Sequence, residues 1–210
     1  MTSNRINLYW GCLVAIYALT HIFILPKSWG EQSISDSGLF SYLTLALLIL
    51  SLFMVLKSIR IPLEFKYKFY LSLLAYVVLI YILREADFHR LFTDEHITRG
   101  KFYTDPNISL HQKILGGIPL AFFTITFIIL VTRFTKLILS QLRQATPWAV
   151  AVFLWGVTFF LSQLADKSHL NNIYYGRVIE EMLELGAAGF VLLAIITSIP
   201  LIEKLPRSKN

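Results

Sequence analysis

Acidic residues and histidines occur in three groups, each where an apolar segment of the sequence begins or ends. The first group follows the third apolar segment and consists of Glu85, Asp87 and His89. Glu85 and His89 share a face if the helix continues through them, since side chains four residues apart are neighbours on a helix. Carboxylates and imidazoles act as general acids and bases in hydrolytic reactions. We therefore treat Glu85, Asp87 and His89 as candidate catalytic residues.

The other two groups carry potential metal ligands. Asp166 and His169 lie near the end of the fifth apolar segment, and Glu181 and Glu184 lie before the sixth. Within each pair the spacing places both side chains on one face of a helix. A metal site in a helical bundle needs carboxylates and imidazoles that project from facing helices. If the groups converge, we expect Asp166, His169, Glu181 and Glu184 to hold a divalent metal ion.

The same acids have a second interpretation, as members of ion pairs. Carboxylates that lie close together repel one another unless a cation or a shared proton holds them. A metal ion is one such cation, and an arginine or lysine side chain is another, so both interpretations stay open. Basic residues on the same side include Arg84, Arg90, Arg99, Lys101, Lys167 and Arg177.

The segments that must position these groups are typical of a membrane protein. The chain is 56% hydrophobic and only 15% charged, with a mean hydropathy of +0.62. A bilayer core of roughly 30 Å is crossed by about 20 mostly apolar helical residues. We predict an all-α fold, a single membrane domain over residues 1–210 that forms a polytopic bundle of about six transmembrane helices. Their expected ranges are 6–25, 39–56, 69–83, 114–131, 148–164 and 185–202.

The basic residues predict the orientation of the bundle. Eleven of the 19 lysines and arginines fall in the N-terminus, the two even-numbered connections and the C-terminus. Short segments rich in lysine and arginine stay in the cytoplasm, so we expect both termini there. The candidate residues and the 84–113 loop would then face the periplasm. The net charge of +6 is explained by these loops, and we do not read it as nucleic-acid binding.

Small residues follow Glu184 and predict close helix packing. The run Gly186-Ala187-Ala188-Gly189 would let another helix approach its backbone closely, which would turn Glu181 and Glu184 towards a neighbour rather than lipid. Four tryptophans are expected to act as interfacial anchors: Trp10, Trp29, Trp148 and Trp155.

Several chemistries are not supported by the motifs. The sequence contains no Walker loop, no GxGxxG, no CxxC, no HExxH and no GxSxG. The single cysteine, Cys12, lies inside the first apolar segment and offers no intramolecular disulfide.

A broader pattern carries a family resemblance. The stretches R84-E85-x-D87-x-H89-x-x-F92-T93, I97-T98-R99-G100-K101-F102-Y103 and E180-E181-x-x-E184-L185 resemble a group of small bacterial multi-pass inner-membrane proteins of unassigned activity. The resemblance implies a cell inner membrane location and a periplasmic face for the acidic groups. It implies no mechanism.

Three functions remain as hypotheses. The first is a metal-dependent membrane enzyme acting on a lipid or lipid-linked substrate, in which the metal activates water and a carboxylate or His89 serves as general base. The second is a non-enzymatic sensor or accessory subunit that docks a membrane or periplasmic protein through the 84–113 loop. The third is an ion or proton translocator, which the crowding of polar residues at one end disfavours.

Overall fold

The computed structural model describes residues 4–23, 38–88, 93, 97, 100–167 and 174–207. Within these residues the chain forms seven helices, and six of them are long and apolar enough to cross a membrane. This confirms the predicted all-α, polytopic class. The helices are α1 (Asn4–Phe23), α2 (Leu39–Ile59), α3 (Phe65–Glu85), α4 (Gly100–Thr104), α5 (Leu110–Arg143), α6 (Pro147–Lys167) and α7 (Tyr174–Ile202).

Polar contacts tie together helix ends that are remote in sequence. At one end of the bundle, the Asn7 side-chain amide donates to the Pro147 carbonyl at 3.0 Å, which joins the starts of α1 and α6. At the other end, the Tyr174 hydroxyl donates to the His21 carbonyl at 3.0 Å, which joins the start of α7 to the end of α1. The long helices therefore alternate in direction, as expected of successive membrane spans. We call the second end the Arg84 end, since Arg84 lies there at the end of α3.

Helix α7 is the centre of the bundle. It packs against α1, α2 and α6, its Ala188 also packs with Tyr81 of α3, and the residues from Leu185 to Phe190 are all buried. The small run Gly186–Gly189 makes this possible, because short side chains let neighbouring helices approach the backbone.

Trp10 of α1 fills the space above that small run. Its indole Nε1 donates to the Gly186 carbonyl at 3.1 Å, and a Cβ atom added to Gly189 would overlap the indole ring. The predicted close approach of a helix at this run is therefore present, and Trp10 of α1 makes it. Because α1 is otherwise poorly buried, this contact is a main attachment of α1 to the bundle.

Helix α5 lies at the periphery. Aromatic contacts attach α5 to α3. Tyr76 of α3 packs against Phe122 of α5 with ring centroids 4.7 Å apart, and Tyr70 of α3 packs against Phe134 of α5 at 5.1 Å. The Tyr76 hydroxyl also donates to the Pro119 carbonyl at 2.9 Å. With 34 residues, α5 is about 50 Å long at the usual helical rise, so it extends beyond a bilayer core or lies tilted within it.

The helix ends differ from those expected. The segment 132–143, expected as a connection, is helical because it contains no proline or glycine. Helix α7 begins eleven residues before position 185, so Glu180, Glu181 and Glu184 lie within it. Residues 84, 85 and 110–113 of the expected periplasmic loop are likewise helical. Hydropathy marks the part of a helix that lipid surrounds, and polar residues continue the helix beyond it.

The end of α5 is a Schellman motif with an unusual residue. The Thr146 amide donates to the Gln141 carbonyl at 3.0 Å, and the Ala145 amide donates to the Leu142 carbonyl at 2.9 Å. Ala145 occupies the left-handed position at φ 50°, where glycine is the usual residue. A non-glycine residue there costs roughly 1–2 kcal/mol.

Candidate functional site

An ion pair joins α3 to α7 at the Arg84 end of the bundle. The Arg84 Nη2 atom lies 2.7 Å from Oε1 of Glu184, the distance of a charge-assisted hydrogen bond. The Glu184 side chain is only 12% exposed. Arg84 is thus the positive partner that the sequence required for Glu184, selected from several basic residues of the region.

A second carboxylate shares the same guanidinium. Oε1 of Glu85 lies 3.9 Å from Nε of Arg84, and the Glu85 side chain is 9% exposed whereas that of Arg84 is 40% exposed. The arginine therefore covers two nearly buried carboxylates from the solvent side. One guanidinium is shared by two carboxylates at this point.

Aromatic rings form the floor beneath Arg84. Its Cζ atom lies 5.5 Å from the ring centroid of Phe159 on α6 and 5.9 Å from that of Tyr81 on α3. The two rings pack edge to face at 5.7 Å, and Tyr81 is only 8% exposed. A cation over aromatic faces is attracted by their negative π-clouds, so the guanidinium is held by rings below and carboxylates beside it.

The Tyr81 hydroxyl is a buried polar group without a hydrogen-bond partner among the described residues. It lies within electrostatic range of Glu85, Glu184 and Arg84. A buried hydroxyl that forms no hydrogen bond costs free energy. This atom is therefore available to a water molecule or ligand that enters the cluster.

Further acids surround the pair. Glu180 lies within electrostatic range of Glu184 and of Asp166 on α6, and Glu85 lies within range of Asp87. Arg177 interacts with Glu180. We name the acidic cluster Glu85, Asp87, Asp166, Glu180 and Glu184, with Arg84 and Arg177 as its described cations.

Helix α6 contributes another unsatisfied group. Phe159, Gln163 and Asp166 follow one another at spacings of four and three and so lie along one face of α6. The Gln163 amide nitrogen is buried and has no hydrogen-bond partner within the described part of the chain. Between the Phe159 floor and Asp166, this face offers a donor for a bound water or oxygen ligand.

The helix that carries Glu85 does not continue to His89, as the candidate catalytic group required. Glu85 and His89 were expected to share a helix face, but α3 ends at Glu85 and Asp87 has a left-handed backbone at φ 47°. Aspartate tolerates this conformation better than most residues, and the helix terminates there. Glu85 faces the bundle, while His89 lies outside the described residues.

The predicted metal ligands are only partly brought together. Asp166 and Glu184 interact electrostatically, and Glu181 is half-buried on α7, while His169 lies outside the described residues. Over residues 4–23, 38–88 and the later described segments, no group of three or more His, Cys, Asp or Glu side chains is arranged to hold a metal ion. A complete protein cage for a metal is therefore not formed by this part of the chain.

Sequence reasoning missed Tyr81, Phe159 and Gln163 as members of the site. Tyr81 lies one turn before Arg84-Glu85, and Phe159 lies two turns before Asp166, so helical spacing alone could have identified them. Comparisons of the chain with protein families, with curated proteins and with solved structures give no match.

Proposed function

We propose that this chain is a multi-pass protein of a bacterial inner membrane that binds a divalent cation in the acidic cluster at its periplasmic face. The cation serves a hydrolytic reaction on a lipid or lipid-linked substrate whose headgroup carries phosphate. Glu85 and Glu184 hold the cation, and the remaining carboxylates of the cluster or His89 take the proton of the attacking water.

The observation that carries the proposal is the imbalance of charge at Arg84. Glu85 and Glu184 are 9% and 12% exposed, and they share a single guanidinium. An uncompensated carboxylate away from water is costly, and Asp166 and Glu180 add further negative charge nearby. A divalent cation at this place would relieve that repulsion.

The small number of protein ligands favours a particular kind of cation. Hard divalent ions such as Mg²⁺ retain several waters and are bound by one or two carboxylates together with substrate phosphates. Two glutamates and the free Tyr81 hydroxyl supply such a partial shell. A zinc site of four protein ligands would need a group that the described residues do not form.

The position of the cluster supports a lipid substrate. Glu85 is the last residue of α3, Asp166 is the second-last residue of α6, and Glu180 and Glu184 lie in the first half of α7. Charged groups at this depth lie near the headgroup layer, where a lipid phosphate could reach them. The positive-inside distribution of lysine and arginine supports a periplasmic face for this end.

The docking hypothesis for the 84–113 loop receives less support. Within the described part of that loop, Phe102 of α4 is fully buried. Its ring lies where a Cβ atom on Gly116 would meet it at 3.3 Å, and Tyr103 lies against Gly117 in the same way. These two aromatic residues thus pack on α5 of their own chain instead of projecting towards a partner.

Binding of Mn²⁺, a spectroscopic substitute for Mg²⁺, tests the proposal directly. The detergent-purified chain is titrated with Mn²⁺, and the free ion is measured by electron paramagnetic resonance. We expect one saturable site that is lost in the double variant Glu85→Gln/Glu184→Gln. Glu203→Gln removes an exposed carboxylate at the opposite end of α7 and should leave the site intact. Equal binding by the two variants, or no saturable site in the unmodified chain, would refute cation binding here.

Activity is tested separately on phosphate-bearing lipids in vesicles of defined composition. Release of the headgroup or of phosphate should require Mg²⁺ and should disappear in the same double variant. A protein that binds the ion but releases nothing from any such lipid would disprove the hydrolytic part of the proposal.

A further inference from the structure

We propose that Arg84 is a resident counter-ion of the acidic cluster, which an incoming divalent cation must displace from Glu85 and Glu184. The inference rests on the proposed function and adds how the site is closed and which ions can open it. Its basis is the placement of a tethered guanidinium on the two carboxylates that would bind the ion.

The exposed fractions of the three side chains indicate which of them a ligand from solvent contacts first. Arg84 is 40% exposed, whereas Glu85 and Glu184 beneath it are 9% and 12% exposed. A cation that approaches from solvent therefore meets the guanidinium before the carboxylates. It reaches the oxygens of both carboxylates only if the arginine moves.

Arg84 lies much closer to Glu184 than to Glu85, which makes such a movement feasible. The contact of its Nη2 atom with Glu184 is short, at 2.7 Å, but the contact of Nε with Glu85 is long, at 3.9 Å. The remaining contacts are with the faces of Tyr81 and Phe159. Release therefore breaks one strong hydrogen bond, and Glu180 lies within electrostatic range to receive the guanidinium.

The Tyr81 hydroxyl is the independent indication that something binds here. It is buried, carries no hydrogen-bond partner among the described residues, and lies in the field of Glu85 and Glu184. Arg84 offers only donor atoms and reaches Tyr81 through the ring face. A bound cation or its water shell would use the hydroxyl oxygen that the arginine leaves unused.

Charge balance selects the class of ion. When both carboxyls are ionised, Glu85, Glu184 and Arg84 together carry one net negative charge. Exchange of the guanidinium for a monovalent ion would leave that charge unchanged, whereas exchange for a divalent ion neutralises it. We therefore expect Mg²⁺, Mn²⁺ and Ca²⁺ to displace Arg84 and Na⁺ or K⁺ to fail.

The decisive variant is Arg84→Gln, which removes the competing charge and retains a polar side chain. The hydrogen bond that the ion must break in the unmodified chain involves two charged groups, so its removal should tighten Mn²⁺ binding by about tenfold to a hundredfold. Arg84→Lys keeps the charge but cannot bridge the two carboxylates with a planar fork, and its gain should be smaller. Arg177→Gln removes a positive charge that interacts with Glu180 and should change the affinity by less than about threefold.

The outcomes separate the inference from the proposed function. Tighter Mn²⁺ binding by Arg84→Gln than by the unmodified chain supports the inference. An Arg84→Gln protein with a lowered Tm that Mn²⁺ restores also supports it. Equal or weaker binding by both Arg84 variants overturns it while cation binding itself stands. Saturable binding by none of the proteins overturns the proposed function as well. Displacement of Mn²⁺ by K⁺ at matched ionic strength would overturn the selectivity for divalent ions.

Discussion

Substitution of Gly189 tests the packing of α1 on the central helix. A methyl group at Gly189 would overlap the Trp10 indole, so α1 must shift or the indole must leave its position. Overpacking of this kind costs about 1–3 kcal/mol, and loss of the Trp10 hydrogen bond to Gly186 adds about 1 kcal/mol. We expect Gly189→Ala to lower the free energy of unfolding by about 2–4 kcal/mol, which corresponds to a fall in Tm of roughly 5–15 °C.

The assay is unfolding of the full chain in mixed micelles, followed by tryptophan fluorescence and by circular dichroism. Gly156→Ala is the matched control, because a Cβ atom at Gly156 meets nothing within 4 Å and alanine is the better helix former by about 1 kcal/mol. Gly186→Ala is a graded control, since its nearest neighbour would be Val14 Cγ1 at an ordinary 3.6 Å. Only Gly189→Ala should be strongly destabilising.

A double-mutant cycle distinguishes the overlap from a general effect on α7. In a Trp10→Ala background the obstacle is absent, so Gly189→Ala should cost little there or should stabilise the helix. An equal cost in both backgrounds would refute the reasoning. So would a Gly189→Ala protein as stable as the unmodified chain.

Three further predictions concern orientation, a helix end and the ion pair. A reporter that is active only outside the cytoplasm should work when fused after Thr104 and fail when fused after Arg143. Ala145→Gly should raise the free energy of unfolding by about 0.5–1 kcal/mol in thermal melts, because glycine adopts the left-handed conformation without strain, whereas Ala121→Gly on the exposed face of α5 should lower it by about 1 kcal/mol. Glu184→Ala should destabilise the protein by about 1–3 kcal/mol in the same melts, less than for a fully buried pair because Arg84 is 40% exposed.

Each of these has a clear contrary result. The reverse pattern of reporter activity would overturn the orientation and the periplasmic assignment of the acidic cluster. A loss of stability in Ala145→Gly similar to that in Ala121→Gly would mean that position 145 is not left-handed. A Glu184→Ala protein no less stable than the Glu203→Gln control would mean that the contact with Arg84 contributes nothing to the fold.

The number of helices long and apolar enough to cross a membrane and the fold class follow from the sequence because a bilayer imposes a minimum apolar length. The exact ends do not follow, as α5 and α7 show. The Thr132 and Thr135 hydroxyls donate to carbonyls of their own helix, so a polar residue can continue α5 without a partner from another segment. Length beyond the apolar window is then set by breakers such as Pro147.

The convergence of Glu85 and Glu184 could be anticipated, since acids recur at the ends of α3 and α7. The basic residue that pairs with them could not be anticipated. Arg84 was one of several basic residues in its region, and its selection depends on how far α3 and α7 are each rotated about their axes. That rotation is fixed by apolar packing, in which Tyr81 contacts Leu48 and Ala188, and such packing is not readable from spacing within one helix.

The central place of α7 has a consequence for biosynthesis. Ribosomes deliver the spans in chain order, so α1, α2, α3, α5 and α6 enter the bilayer before the helix that most of them pack against. Until α7 arrives, the indole of Trp10 lacks the Gly186 carbonyl as its acceptor and Arg84 lacks Glu184. The earlier helices therefore enter the bilayer before the contacts that α7 supplies can form. A truncation before Tyr174 would leave Arg84 without Glu184, the closer of its two carboxylate partners.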